Sequence, residues 1–256
     1  MIGNSQLFLF GLEGTTITLP SSESLKIRGN TWVIDKKVNE VSCNITREEL
    51  DRDGHTRTVP SYTMGKFLCH QVGAHPESAF MRIYCQVPIE ETQILSPQIR
   101  AQQAVPPYQH GEIMALKRFK EGSCAAVPEL LGYSETVQSK DGLVPGGYIT
   151  YLVWDKVPGE SLSGELFWSF ELPKRDLIRQ KFRAAYEALR SFGYLSMIET
   201  PAKLIWDKDS AQLHISGFST ATEVDPTSKW NDDVYAMYRL VKRPKSGWED
   251  ITRWEW

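Results

Sequence analysis

Long apolar runs are missing from this sequence. Nowhere does it approach the roughly 18–20 consecutive apolar residues that a bilayer-spanning helix needs. A basic excess is missing as well: 29 Lys and Arg stand against 32 Asp and Glu, a net charge of −3, with no Lys/Arg-rich stripe. That excludes the electrostatic footprint of a nucleic-acid binder. Cysteine is sparse, with Cys43, Cys69, Cys85 and Cys124 separated by 26, 16 and 39 residues and no Cys-x-x-Cys pair. A zinc site normally draws two ligands from one short turn, so no metal is expected, and the four thiols read as small apolar residues. The start of the chain has no basic region followed by an apolar run, so no secretory signal is read and a cytoplasmic protein is expected. Without a secretory route the acceptor tripeptide Asn44-Ile45-Thr46 is idle.

What is present begins with a β-rich first half. Residues 6–10, 15–19 and 31–34 are short β-branched or aromatic runs broken by Gly, Ser and Pro. Residues 66–69 and 79–87 are stronger runs, joined through a turn region at 73–78 into a hairpin that stops at Pro88, which cannot extend a ladder. Pro97, Pro106 and Pro107 make residues 96–108 a poor helix interior. Residues 112–120 predict a helix with Ile113, Leu116 and Phe119 on one side, and a second hairpin follows from 134–136 and 148–154. From there the texture turns helical. Ile178, Phe182, Tyr186 and Leu189 recur at steps of four, four and three, and Gly193 sits where a left-handed cap residue is wanted. Two short strands, 203–206 and 212–215, come next, with His214 read as a satisfied polar residue on the second. Trp248, Trp254 and Trp256 are expected to pack a short tail. The order predicts an α+β chain of two lobes: residues 1–154 β-rich with one helix, and residues 155–256 a reduced helical lobe.

That order resembles the protein-kinase-like fold, specifically its aminoglycoside-phosphotransferase-like branch of fungal type. The resemblance rests on local matches spread over roughly residues 66–224. Ala79-Phe80-Met81-Arg82-Ile83-Tyr84 is similar to the third strand of the small lobe, and His110-Gly111-Glu112-Ile113 to the helix bearing its ion-pairing Glu. Val127-Pro128-Glu129-Leu130-Leu131-Gly132-Tyr133 resembles the strand after that helix. Tyr148 through Trp154-Asp155-Lys156-Val157-Pro158-Gly159 resembles the fifth strand, hinge and Pro-Gly turn. Lys203-Leu204-Ile205-Trp206-Asp207 and Leu213-His214-Ile215-Ser216-Gly217-Phe218 resemble the strand following the catalytic loop and the metal-binding strand.

The groups that phosphoryl transfer requires are the ones this chain changes. A kinase holds phosphate oxygens with a strand Lys oriented by a helix Glu. The matching positions here are Arg82 and Glu112, and a guanidinium does not place a point charge as an ammonium does. The resemblance puts the hydroxyl-positioning Asp at Ile198, the metal-binding Asn at Lys203, and the Asp that opens the metal motif at Gly217. A shift of register by one residue brings Glu199 to the first of these. No glycine-rich phosphate loop precedes them. An active kinase is therefore not expected, and neither is a cofactor.

Three readings remain. The first is a cleft repurposed to bind a small apolar metabolite and guide its cyclisation, a pericyclase-like role in secondary metabolism that needs shape and a few donors. The second is a non-catalytic pseudokinase module that works through a protein partner, and the third a divergent phosphotransferase. The candidate ligand cleft comprises Arg82, Glu112, Trp154, Met197, Ile198, Glu199, Lys203, Gly217 and Phe218. Each has a plainer reading beside the functional one. Arg82 and Glu112 make a strand-to-helix ion pair, Trp154, Met197, Ile198 and Phe218 fill core, and Lys203 takes Glu199 as its partner or points to solvent.

Overall fold

The structure, a computed structural model, describes residues 6–52, 59–73 and 78–256. By its internal contacts the chain forms two units, residues 1–109 with 130–156, and residues 110–129 with 157–256.

The first unit is built on β1 (Thr16–Leu19), β2 (Asn30–Cys43), β3 (Tyr62–Gln71), β4 (Ser78–Gln86), β5 (Leu130–Val137) and β6 (Tyr148–Asp155), in the antiparallel order β1-β2-β3-β4-β6-β5. β3 alternates strictly: Thr63, Gly65, Phe67 and Cys69 are buried, and the residues between them are partly exposed. That is the period-2 signature of a strand with one face on a core. The predicted hairpin is present, with His70 opposite Ser78, although residues 74–77 of its turn lie outside the described residues. β4 is central and buried on both faces. Ala79, Met81, Ile83 and Cys85 join Phe67, Trp32 and Ile34 in one cluster, while Arg82, Tyr84 and Gln86 are buried on the opposite face. Cys69 and Cys85 are free thiols, both pushed up to about 12 by burial, as expected of apolar cysteines. The sheet coils until its two edges approach: Gly132 on β5 leaves the space that Leu19 of β1 fills, a β-carbon there lying 2.7 Å from Leu19 Cδ1.

Residues 6–10, expected as a strand, form none. Their amides are taken by a side chain instead of a neighbouring strand. Glu40 Oε1 accepts from Phe8 N (2.5 Å), Leu9 N (3.1 Å) and Thr63 Oγ1 (2.9 Å), while Oε2 accepts from Lys37 Nζ (2.8 Å). The Glu40 side chain is 1% exposed, and these bonds hold its carboxyl below the ordinary range against the opposing effect of burial. The strap then drops Leu9 onto Gly65, where a β-carbon would stand 2.7 Å from Leu9 Cδ1. The helices of this unit are short, α1 (Arg47–Arg52) and α2 (Pro97–Ala101). The second begins at Pro97, where a missing N–H costs nothing.

The second unit opens with α3 (Gly111–Glu121), followed by β7 (Glu160–Ser161), α4 (Gly164–Ser169) and α5 (Leu172–Ser191), then β8 (Tyr194–Ser196), β9 (Leu204–Asp207), β10 (Gln212–Ile215), β11 (Ala221–Glu223) and α6 (Asp233–Met237). The sequence reading counted α3 with the β-rich part. Its contacts run instead to residues 218–220 and to β11, because Phe119 packs on Phe218 (ring centroids 5.1 Å) and Gly111 lets the Ala221 carbonyl approach. α5 buries Ile178, Phe182, Tyr186 and Leu189 as predicted, and Gly193 follows it at φ +82°. The tail departs from expectation at one tryptophan. Trp254 is buried and Trp256 partly so, but Trp248 is exposed with the Arg243 guanidinium over its ring. Among the described residues no helix is long and apolar enough to cross a membrane.

Two acid windows follow. His110 at the start of α3 is buried, which drives its imidazole from 6.5 down to about 3. The unfolded chain therefore binds a proton that the folded one refuses. Stability is expected to fall by up to about 1.4 kcal/mol per pH unit below about 6.5, and His110→Gln should flatten that slope in pH-dependent urea denaturation. The lowered carboxyl of Glu40 adds its own loss only below about 4.5, the ordinary value. Glu40→Ala should cost about 1.5–3 kcal/mol at neutral pH and open residues 6–10 to proteolysis.

Candidate functional site

In the second unit, six of the predicted site residues lie together. β8 pairs with β11, and residues 197–200 leave β8 as a loop that returns through a short 3₁₀ turn (Pro201–Lys203) into β9. One buried hydroxyl ties this loop to the segment after β10. Ser196 Oγ donates to the Gly217 carbonyl (2.8 Å) and accepts from Ile198 N (3.2 Å). A second tie comes from Ser216, whose N–H (2.8 Å) and Oγ (3.1 Å) both donate to the Lys203 carbonyl. Met197 N donates to the Thr220 carbonyl (3.3 Å). Met197, Ile198, Glu199, Lys203, Gly217 and Phe218 are thus carried by two backbone segments stitched side by side.

The stitch fixes what Lys203 does. Gly217 has φ +87°, in the left-handed region, and a β-carbon on it would lie 2.5 Å from Lys203 Cδ and 2.9 Å from Cε. The lysine stem therefore runs across the glycine, in the space a side chain at 217 would need. Among the described residues Lys203 makes no ion pair with Glu199, and its methylenes pack on backbone. Glu199 is half-buried, and burial alone raises its carboxyl above the ordinary value. Its charge is felt by Tyr186 and Tyr238, whose hydroxyls are pushed up mainly by their own burial. Met197 is 64% exposed, which corrects its reading as core, whereas Phe218 is core against Phe119. His214, read as satisfied, has a buried Nδ1 with no hydrogen-bond partner among the described residues.

Glu112 lies in the same unit, buried in the first turn of α3, where a carboxylate faces the positive end of the helix dipole. Arg82 and Trp154 belong to the first unit and meet on one face of its sheet. The Arg82 guanidinium carbon is 5.7 Å from the Trp154 ring centre, and Phe80 packs on Trp154 at 6.1 Å. Sequence reasoning missed the fourth member, Lys66. It is the cross-strand partner of Arg82, and its ammonium lies 3.6 Å from the Phe80 ring centre. The antiparallel register of the β3–β4 hairpin is what places Lys66 and Arg82 side by side.

Magnesium does not fit the residues present. Ile198, Lys203 and Gly217 bring no side-chain oxygen, and among the described residues no three His, Cys, Asp or Glu side chains converge on a common point. No family model matches the chain, and no curated protein matches it. Among solved structures the chain is similar to PK-1, the kinase of Cydia pomonella granulovirus, at 13% identity and a TM-score of 0.40, with 78% of this chain and 55% of that one covered. The chain spans about half the length of that viral kinase.

The packing of Lys203 on Gly217 generates a thermodynamic test. Gly217→Asp forces an L-residue into the left-handed region and pushes the flexible Lys203 stem aside, and should cost about 2 kcal/mol in urea denaturation. In a Lys203→Ala background there is no stem to push aside, so the same substitution should cost only about 1 kcal/mol. Equal costs in the two backgrounds would mean that the stem is no obstruction.

Proposed function

We propose that this chain is a protein-kinase-like fold that has lost phosphoryl transfer and binds a small, largely apolar molecule at the loop that carries the catalytic groups in the family it resembles. The observation that carries the reading is the Lys203 stem lying over Gly217. A carboxylate cannot enter at 217 without displacing it, and magnesium, which offsets the charge of the transferred phosphoryl group, then has no ligand there.

The order of elements supports the fold part of this reading. The segments quoted for the resemblance form β4, α3, β5, β6, β9 and β10 in that sequence along the chain. The ligand part is supported by the loop itself. Where carboxylate and amide would stand in an active enzyme, the loop offers exposed Met197, half-buried Ile198 and a lysine stem. Methionine and isoleucine beside a desolvated acid suit an apolar ligand that needs positioning more than charge compensation. The chemistry within reach is shape-directed ring closure, with Glu199, whose carboxyl burial raises above its ordinary value, as the one acid in the loop.

Millimolar ATP with magnesium should leave the melting temperature of the wild-type chain unchanged. A ligand at a hundredfold above its dissociation constant adds about 2.7 kcal/mol, an effect that melting resolves easily. A magnesium-dependent rise would overturn the reading. Farnesol, a neutral isoprenoid alcohol, serves as the apolar probe. It should raise the melting temperature of the wild type and leave that of Ile198→Asp unmoved, because a bare carboxylate repels an apolar ligand. A farnesol shift that survives Ile198→Asp would remove this loop as the site.

A further inference from the structure

The first unit holds a cavity that the reading above does not use. It lies between the start of β3, the end of β4 and the connection that leaves β4, residues 87–109, and encloses about 650 Å³. A connection of that length without a long element of its own is uncommon in a compact unit and is usually there for a function.

The wall is propped by two glutamines that spend both ends of their amides on it. Gln86 Nε2 donates to the Gln103 carbonyl (2.6 Å), and Gln86 Oε1 accepts from Val105 N (3.1 Å). Gln103 Oε1 accepts from Ile89 N (2.9 Å), and its Nε2 donates to Thr92 Oγ1 (2.7 Å). Gln138 Nε2 secures the Gln86 carbonyl from behind (2.8 Å). Pro106 and Pro107 stiffen the same wall. The result is a preformed hollow in which the amides of Gln86 and Gln103 are already paired.

Its chemistry is narrow. Among the described residues fifteen line it, none of them charged, and ten of the fifteen are aliphatic, proline or tyrosine. Among the described residues one buried donor is left over. Ser61 is 4% exposed and lines the cavity; its Oγ accepts from Ile45 N (2.9 Å), and its own proton has no acceptor among the described residues. A buried hydroxyl proton without a partner is costly, and an acceptor oxygen on a ligand would satisfy it. We propose that this cavity is a binding site for a neutral, largely apolar small molecule carrying one acceptor oxygen, a ketone, ester or ether, directed at Ser61. Its volume lies inside the range of roughly 300–1,000 Å³ typical of small-molecule sites.

The probe is prodan, a neutral naphthyl ketone whose emission reports both the polarity around it and hydrogen bonding to its carbonyl. The full chain should bind it saturably and one to one. Val105→Trp fills the hollow and should weaken binding at least tenfold, and Ile89→Trp, on a partly exposed rim, provides the same block should Val105→Trp fail to fold by circular dichroism. Ser61→Ala should weaken binding about two- to tenfold and shift the bound emission to the blue. Ile198→Asp, in the other unit, should change neither. Absence of saturable binding, or wild-type binding by both tryptophan variants, would overturn the site. So would loss of binding in Ile198→Asp with retention in Val105→Trp, an outcome that assigns the probe to the loop of the second unit and leaves the proposed function standing.

Discussion

The first unit depends on one constraint, the burial of β4 on both faces. A strand in that position cannot carry polar residues without finding partners for them, and the partners organise what surrounds it. On one face its apolar residues and those of β2 and β3 make a single cluster. On the other, Gln86 reaches the connection leaving the strand, and Arg82 lies against an indole. The strap at residues 6–10 completes the apolar side, held by a carboxylate on β2 and seated over a glycine on β3.

The second unit is organised by a smaller knot. Ser196, Ser216, Lys203 and Gly217 connect two segments through backbone carbonyls, and these bonds shape the loop between β8 and β9. A lysine stem packs across the knot, and Gly217 supplies the left-handed turn that lets the stem pass.

Patterns that live within one element were legible in the sequence. The apolar steps of α3 and α5, the two hairpins and the glycine after α5 all appear where the sequence reading placed them. What escaped depends on partners far along the chain. Residues 6–10 have the β-branched and aromatic texture of a strand, yet their amides go to Glu40, more than thirty positions away. Lys203 was recognised as an odd residue for its place, but the path of its stem is a tertiary fact. The cavity beside Ser61 escaped because its walls come from several loops, and its proline-rich segment reads only as a poor helix.

The pairing of segments into units also bears on synthesis. The first sheet takes two of its six strands from residues 130–155, and α3, made before them, packs on residues made later, Phe192 and 218–223. Neither unit has its full set of parts when the first 110 residues have left the ribosome. A nascent chain of that length presents β4, later a central strand, as an unpaired edge with apolar residues on it, and such edges invite association with other chains. The interval lasts for about another 45 residues of translation, a few seconds at roughly 5–20 residues per second.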